Sequence, residues 1–276
     1  MVYSPYNLQD VYDASEQNKF KVISTFAGGG GSSTGYRLAG GKVLAVNEFV
    51  EEACNTYKEN YPETPILPGD IKELTGQHFL DAAGVKVGEI DVLDGSPPCS
   101  AFSVAGKLSH NSIETEYLDF DGNVMTRKES GKHSDGWGQT KKYSDGKIVE
   151  NIEDLFFDFL RIADDIRPKV IIAENVKGLT VGEAKNYLNQ ILNKFEEIGY
   201  NVSYQVLDSR YFGVSQTRTR CIFVGVRQDI ADQVGLNFMT IQTVFPQPSL
   251  TTIPLKDVLI DLEYDEDEVS YLTEKF

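Results

Sequence analysis

Short apolar runs alternate with amphipathic stretches along most of the chain. Lys21–Phe26 (KVISTF), Val43–Asn47, Ile66–Asp70, Ile90–Leu93 and Lys169–Ala173 (KVIIA) are the lengths and compositions of buried strands. Between them the spacing predicts helices over Ser32–Leu38, about 50–60, and Lys72–Ala83. Ser32 or Ser33 is the expected N-cap of the first. Leu155, Phe156, Phe159, Leu160, Ile162 and Ile166 recur at helical spacing and Pro168 closes that helix. A further helix is expected over Ala184–Ile198, then strands at Asn201–Leu207 and Arg220–Val226. The regularity breaks in two places. Residues 107–150 are polar and glycine-dotted, with hairpin signals at Asp121-Gly122 and Asp145-Gly146. From Leu236 onward Pro246, Pro248 and Pro254 interrupt the pattern, and the end (DLEYDEDE) is acidic. These breaks divide the chain into a lead-in of residues 1–20 without periodicity, a domain over 21–235 with a long loop or lid at 107–150, and an acidic tail over 236–276.

Composition narrows the class. With 276 residues, 41% hydrophobic and 25% charged, the chain can bury a substantial core. No apolar run is long enough to span a bilayer and no basic-then-apolar leader precedes the domain, so a cytoplasmic protein without a membrane partner is expected. Cys54, Cys99 and Cys221 form no CxxC pair, and His78, His110 and His133 are scattered; neither a disulfide framework nor a metal site is expected. A net charge of −16 argues against a broad nucleic-acid-binding face. Any such contact needs a local basic groove or a partner that supplies one.

The candidate chemistry lies at strand ends. Ala27 and four consecutive glycines, Gly28–Gly31, follow the first strand, a layout that brings backbone N–H groups and a helix start against a ligand. GxGxxG fails because Ser33 takes the third position, and GxxxxGK[ST] fails because Tyr36 follows Gly35. A merely tight βα turn accounts for the glycines equally well. Glu48 ends the second strand, where a carboxylate can accept from both hydroxyls of a ribose; a solvated glutamate is the plainer alternative. Phe49 can stack on an adenine or join the core, and Asp70 ends the third strand. Together they suit an adenosine-containing ligand without phosphates.

The stretch organising the chain is Asp91–Lys107. An apolar run stops at Gly95-Ser96-Pro97-Pro98, and Cys99 follows on a stiff turn, because each proline restricts its own φ and the residue before it. A helical turn through Ser100-Ala101-Phe102 would favour the thiolate. Glu174 tips an apolar strand, an expensive place for a carboxylate without work or a partner. Arg218 and Arg220, two apart on an extended segment, share one side. They can hold phosphate or carboxylate, or form a surface ion pair.

Six blocks in order, FAGGGGSSTG (26–35), NE (47–48), GDI (69–71), GSPPCSAFSVAGK (95–107), ENVKGL (174–179) and QTRTRCIFVGV (216–226), resemble the C5-cytosine DNA methyltransferase family over about residues 21–227. The resemblance implies an α/β fold of the S-adenosylmethionine-dependent methyltransferase, Rossmann-like type, with a mostly parallel doubly wound sheet and a C-terminal antiparallel hairpin. It implies methyl transfer from S-adenosyl-L-methionine to C5 of cytosine in double-stranded DNA, leaving S-adenosyl-L-homocysteine, without a metal. Cys99 would be the nucleophile, Glu174 would hydrogen-bond the base edge, and Arg220 with Arg218 would hold the base or its phosphate. Phe26, Ala27, Gly28, Gly30, Gly31, Ser32, Glu48, Phe49, Asp70, Ile71, Pro98 and Leu155 would line the cofactor site. Ser96, Pro97, Ser100, Ser103, Asn175 and Val176 would contact substrate. The base must leave the duplex to reach Cys99, which would give the lid a purpose. Residues 228–276 contain neither the family's basic recognition region nor its closing blocks, so a catalytic fragment, or one subunit of a split enzyme, is expected. The same chemistry on a tRNA cytosine, or a cofactor-binding subunit inactive without a partner, are the other readings.

Overall fold

The computed structural model describes residues 5–98, 155–181, 184–237 and 239–259, and the backbone of 113–118, 124–129, 140–142 and 148–151. In chain order the first strands are β1 (Phe20–Thr25), β2 (Gly41–Glu48), β3 (Ile66–Pro68) and β4 (Val92–Gly95). Two antiparallel pairs follow, β5 (Ile113–Leu118) with β6 (Val124–Glu129) and β7 (Thr140–Lys142) with β8 (Ile148–Asn151). They flank the two Asp-Gly hairpin signals. The last strands are β9 (Val170–Val176), β10 (Tyr200–Asp208) and β11 (Thr219–Arg227).

Seven of these strands form one sheet in the order β10-β11-β9-β4-β1-β2-β3. All neighbours pair in parallel except β10–β11, the C-terminal antiparallel hairpin, and β11–β9, which joins that hairpin to the sheet. The α-helices among the described residues are α1 (Leu8–Ser15), α2 (Gly31–Leu38), α3 (Glu51–Asn60), α4 (Gly76–Ala83), α5 (Leu155–Ile166), α6 (Ala184–Glu197) and α7 (Gln228–Val234), with short 3₁₀ turns between elements. The fold class is the one the resemblance implies.

Successive strand residues point to opposite faces, and this sorts the core into two layers. Ile23, Ala45 and Leu93 face α4, α5 and α6, where Phe79, Phe156, Phe159 and Phe195 are buried with them. Val22, Val43 and Val46 face the other way, toward Val11 of α1 and Tyr57 and Tyr61 at α3. On that second face Arg37 of α2 is only 4% exposed. It lies 3.8 Å over the Tyr61 ring and donates to Thr64 Oγ1 at 2.7 Å, so it seats α2 against α3.

Four local expectations are corrected. The lead-in contains α1, closed at its start by a reciprocal capping box between Asn7 and Asp10. Neither Ser32 nor Ser33 caps α2. Gly30, at φ +98°, takes that position, and both hydroxyls are engaged elsewhere. The helix expected from Lys72 begins at Gly76, because Asp70 caps a single 3₁₀ turn and Thr75 with His78 forms the capping box for α4. Glu174 does not tip its strand; β9 continues to Val176, where β11 still pairs with it. Among the described residues no helix is long and apolar enough to cross a membrane.

Candidate functional site

Two cavities open at the carboxyl ends of the parallel strands, where ligands of open α/β sheets bind. The first, about 280 Å³, is lined by residues that include Phe26, Glu48, Phe49, Asp70, Ile71, Pro98 and Leu155. The second, about 530 Å³, lies on the α2 face of the sheet. It is lined by Phe26, Ala27, Gly28, Gly31, Ser32, Tyr36, Asp94, Ile172, Glu174 and Arg218 among others. Phe26 and Ser96 line both and form the partition between them.

That partition is built under strain. Phe26 has φ +53°, a left-handed conformation rarely adopted outside glycine, and Gly28 follows at +54°. Three contacts hold the turn. Ala27 N–H donates to Asn47 O at 3.1 Å, Gly28 N–H donates to Glu48 Oε2 at 2.7 Å, and Ser96 Oγ donates to Phe26 O at 3.3 Å. Gly30 lines neither cavity. A Cβ there would sit 3.0 Å from the Tyr61 ring, so its glycine serves the close approach of turn and α3.

Glu48 is buried, and its carboxylate is largely spoken for. Oε1 accepts from the N–H groups of Phe49 and Val50, both at 2.8 Å, and Oε2 from Gly28. A carboxylate offers about four lone-pair sites, so roughly one stays open toward the first cavity. Asn47 beside it donates to Leu67 O and Gly69 O at 2.9 and 3.0 Å, fixing the loop that presents Asp70. Asp70 itself accepts from Lys72 N–H at 2.9 Å.

The charged centre of the second cavity follows from strand register. Ile222 lies opposite Glu174, so Arg220, two residues along β11, projects from the same face as Glu174. Arg220 Nε lies 2.9 Å and Arg218 Nη2 3.0 Å from the same oxygen, Glu174 Oε1. Oε2 has no partner among the described residues. Asn175, next in β9, donates from Nδ2 to Pro97 O at 3.2 Å and so ties the Ser96-Pro97-Pro98 turn to the strand carrying Glu174. Val176 pairs with Arg220 and lines neither cavity. Cys99, Ser100 and Ser103 lie outside the described residues.

One feature of the site has no counterpart among the candidates read from the sequence. Asp94 of β4, 7% exposed, accepts from Ser24 Oγ at 2.8 Å, Ser32 Oγ at 2.7 Å and Tyr36 OH at 3.0 Å. Burial pushes its carboxyl above the usual range; the Ser32, Ser24 and Tyr36 bonds pull it back, and Glu174 pushes it up. Burial also pushes the Tyr36 phenol up, with Asp94 adding to it. An aspartate directly after the apolar pair Val92-Leu93, still inside the strand, was the available sequence signal.

The model of the C-5 cytosine-specific DNA methylase family matches residues 20–130 and 139–276. The chain belongs to that family. Among relatives, it is 30% identical to Type II methyltransferase M.NgoPII of Neisseria gonorrhoeae over 89% of its own length and 58% of that protein's. It is 32% identical to M.Eco47II of Escherichia coli (91% and 48%) and 32% identical to M.AquIA of Picosynechococcus (83% and 76%). The chain thus spans about half the length of the first two. A solved structure described as a DNA modification methyltransferase encoded within an E. coli prophage superposes with a TM-score of 0.63. At 22% identity, it covers 89% of this chain and 56% of the other, which establishes the shared fold.

Proposed function

We propose that this methylase-family chain transfers a methyl group from S-adenosyl-L-methionine to C5 of cytosine in double-stranded DNA. The observation that carries the reading is the convergence of Arg218 and Arg220 on Glu174 Oε1, with Oε2 free of partners among the described residues, in a cavity whose opposite wall is the glycine turn. The residues present fit the cofactor. The first cavity combines a buried carboxylate that has about one acceptor site left with the apolar surfaces of Phe26, Ile71 and Leu155, a lining suited to an adenosine. In this reading Glu48 takes one ribose hydroxyl rather than two, Asp70 faces the adenine with Phe49 and Ile71, and the turn from Ala27 to Ser32 holds the amino-acid end.

When bound, S-adenosylmethionine supplies an electrophilic methyl group. The chain's residues do the rest. Cys99, directly after the Pro97-Pro98 turn that Asn175 secures, adds as a thiolate to C6 of a flipped cytosine. Glu174 hydrogen-bonds the N3/N4 edge and holds a proton at N3, so the adduct is a neutral enamine with a nucleophilic C5. Arg218 and Arg220 hold Glu174 in place and grip the base or its phosphate. After C5 takes the methyl group, water accepts the C5 proton as the Cys99 thiolate leaves from C6, and N3 returns its proton to Glu174, which restores the aromatic ring. S-adenosylhomocysteine remains, and no step requires a metal. Ser96, Ser100 and Ser103 shape the base pocket, Asn175 acts on it through Pro97, and Val176 acts only as the strand partner of Arg220. Choice of target sequence is assigned to a further C-terminal region or a second subunit; a net charge of −16 supports this, since phosphate binding needs a basic surface.

The test is covalent trapping. Duplex DNA carrying 5-fluorocytosine is incubated with the protein and S-adenosylmethionine, and intact mass is recorded. Fluorine blocks the final elimination, so a protein–DNA adduct is expected, and Cys99→Ala abolishes it. A folded protein that gives no adduct with any duplex, or an adduct only with tRNA, overturns the assignment to DNA.

A further inference from the structure

Asp94 is a buried carboxylate that is well bonded but has no countercharge among the described residues. β1 and β4 run side by side with Ser24 in register with Asp94, which places both side chains on the α2 face of the sheet. From the opposite side, Ser32 and Tyr36, one turn apart on α2, bring their hydroxyls to the same carboxylate. Three hydroxyl donors occupy three of its roughly four lone-pair sites, and the open one is on Oδ1, which has only Tyr36. Among the described residues no lysine, arginine or histidine pairs with Asp94; the two nearby arginines are committed to Glu174. Hydroxyls satisfy hydrogen-bonding capacity but leave the charge uncompensated, and an uncompensated buried charge is costly. Its raised pKa expresses the same cost.

The cavity that Asp94 lines also presents the opposite polarity. The N–H groups of Gly31 and Ser32, at the start of α2, have no acceptor among the described residues, and they lie at the positive end of the helix. A carboxylate lacking a cation and amides lacking an anion, bridged by the single side chain of Ser32, are the complement of an amino-acid zwitterion. We propose that Asp94 is the counter-ion of the α-ammonium group of the cofactor's amino-acid end. The inference rests on the S-adenosylmethionine reading above and adds to it a charged residue that acts on the ligand directly.

Asp94→Asn tests it with little steric change, since Ser24, Ser32 and Tyr36 hydroxyls can rotate to accept from the new amide. Affinities of the full chain are measured by calorimetry for S-adenosylhomocysteine and for 5′-methylthioadenosine, which has the same nucleoside but no amino-acid end. Asp94→Asn is expected to weaken S-adenosylhomocysteine about 10- to 100-fold, the range of a lost charged hydrogen bond, and to change 5′-methylthioadenosine less than about 2-fold. Equal weakening of both ligands would mean that Asp94 only shapes the turn, and overturns the proposal. If the variant does not fold, the wild-type protein decides. The deaminated analogue of S-adenosylhomocysteine should bind about 10-fold or more weaker than the parent, and equal binding overturns the proposal. If the wild type binds neither S-adenosylhomocysteine nor 5′-methylthioadenosine, the cofactor reading itself fails and takes this inference with it.

Discussion

Arg220 Nε and Glu174 Oε1 are 2.9 Å apart across the antiparallel pairing of β11 with β9, both side chains less than one-third exposed. Arg218 reaches the same oxygen but is 52% exposed. The pair therefore depends more on Arg220, whose planar fork fixes direction as well as charge.

Replacing Arg220 by alanine should lower kcat by about 10²–10³-fold, the usual cost of removing one preorganised charged donor from an active site. Stability should fall by about 1 kcal/mol or less, since the pair is partly solvated. Tritiated-methyl transfer and a thermal melt check the two halves. An Arg220→Lys variant should recover only part of the rate, because an ammonium cannot reproduce the guanidinium geometry.

Glu48→Gln should be damaging in two ways at once. Both carboxylate oxygens accept from backbone N–H groups, so the amide of glutamine must turn a donor toward Gly28 or toward Phe49 and Val50. Leaving such a buried group unpaired costs about 1–3 kcal/mol. Calorimetry should show at least about a tenfold loss of affinity for 5′-methylthioadenosine, together with a lower melting temperature. An unchanged affinity would mean that Glu48 serves the turn alone.

Gly95→Ala, four residues before Cys99, should destabilise through crowding. A Cβ at Gly95 would lie 2.6 Å from both the Phe159 ring and Thr25 Oγ1. Overpacking of this kind costs about 1–3 kcal/mol. Chemical denaturation should show a lower midpoint with an unchanged slope, and Thr25→Ser should not rescue it because the hydroxyl remains.

Cys221 gives a pH signature. Burial, and to a lesser extent the nearby charge of Glu174, push its thiol up to about 12. In the unfolded chain it titrates near 8.5. Its contribution is fully present below about pH 8.5 and is lost as the pH rises toward about 12, because only the unfolded chain can then release the proton. Stability should therefore decline through this alkaline window, and Cys221→Ala should flatten the decline. At pH 8 the thiol should resist iodoacetamide until the protein is denatured.

Much of this protein was legible from local pattern. The strands and helices follow from apolar runs and 3.6-residue spacing, because each element must bury one face whatever its neighbours are. Antiparallel strand pairs flank the two Asp-Gly signals because turn chemistry is local. The candidate residues Glu48 and Asp70 were legible as carboxylates at or just past the ends of apolar strands, and Glu174 as a carboxylate directly after an apolar run. The misses have one physical cause. Whether Ser32 caps α2 or reaches Asp94 depends on a strand 62 residues away in the sequence. Whether Glu174 ends its strand or continues depends on β11 pairing beyond it. The convergence of Arg218 and Arg220 on one oxygen, the partition of two cavities by a strained Phe26, and the burial of Asp94 among three hydroxyls arise from register and crossover between distant segments. Side-chain spacing along a chain sets which face a residue occupies. Only the packed sheet sets which residues share that face, and electrostatics in its dry interior decides what they can bind.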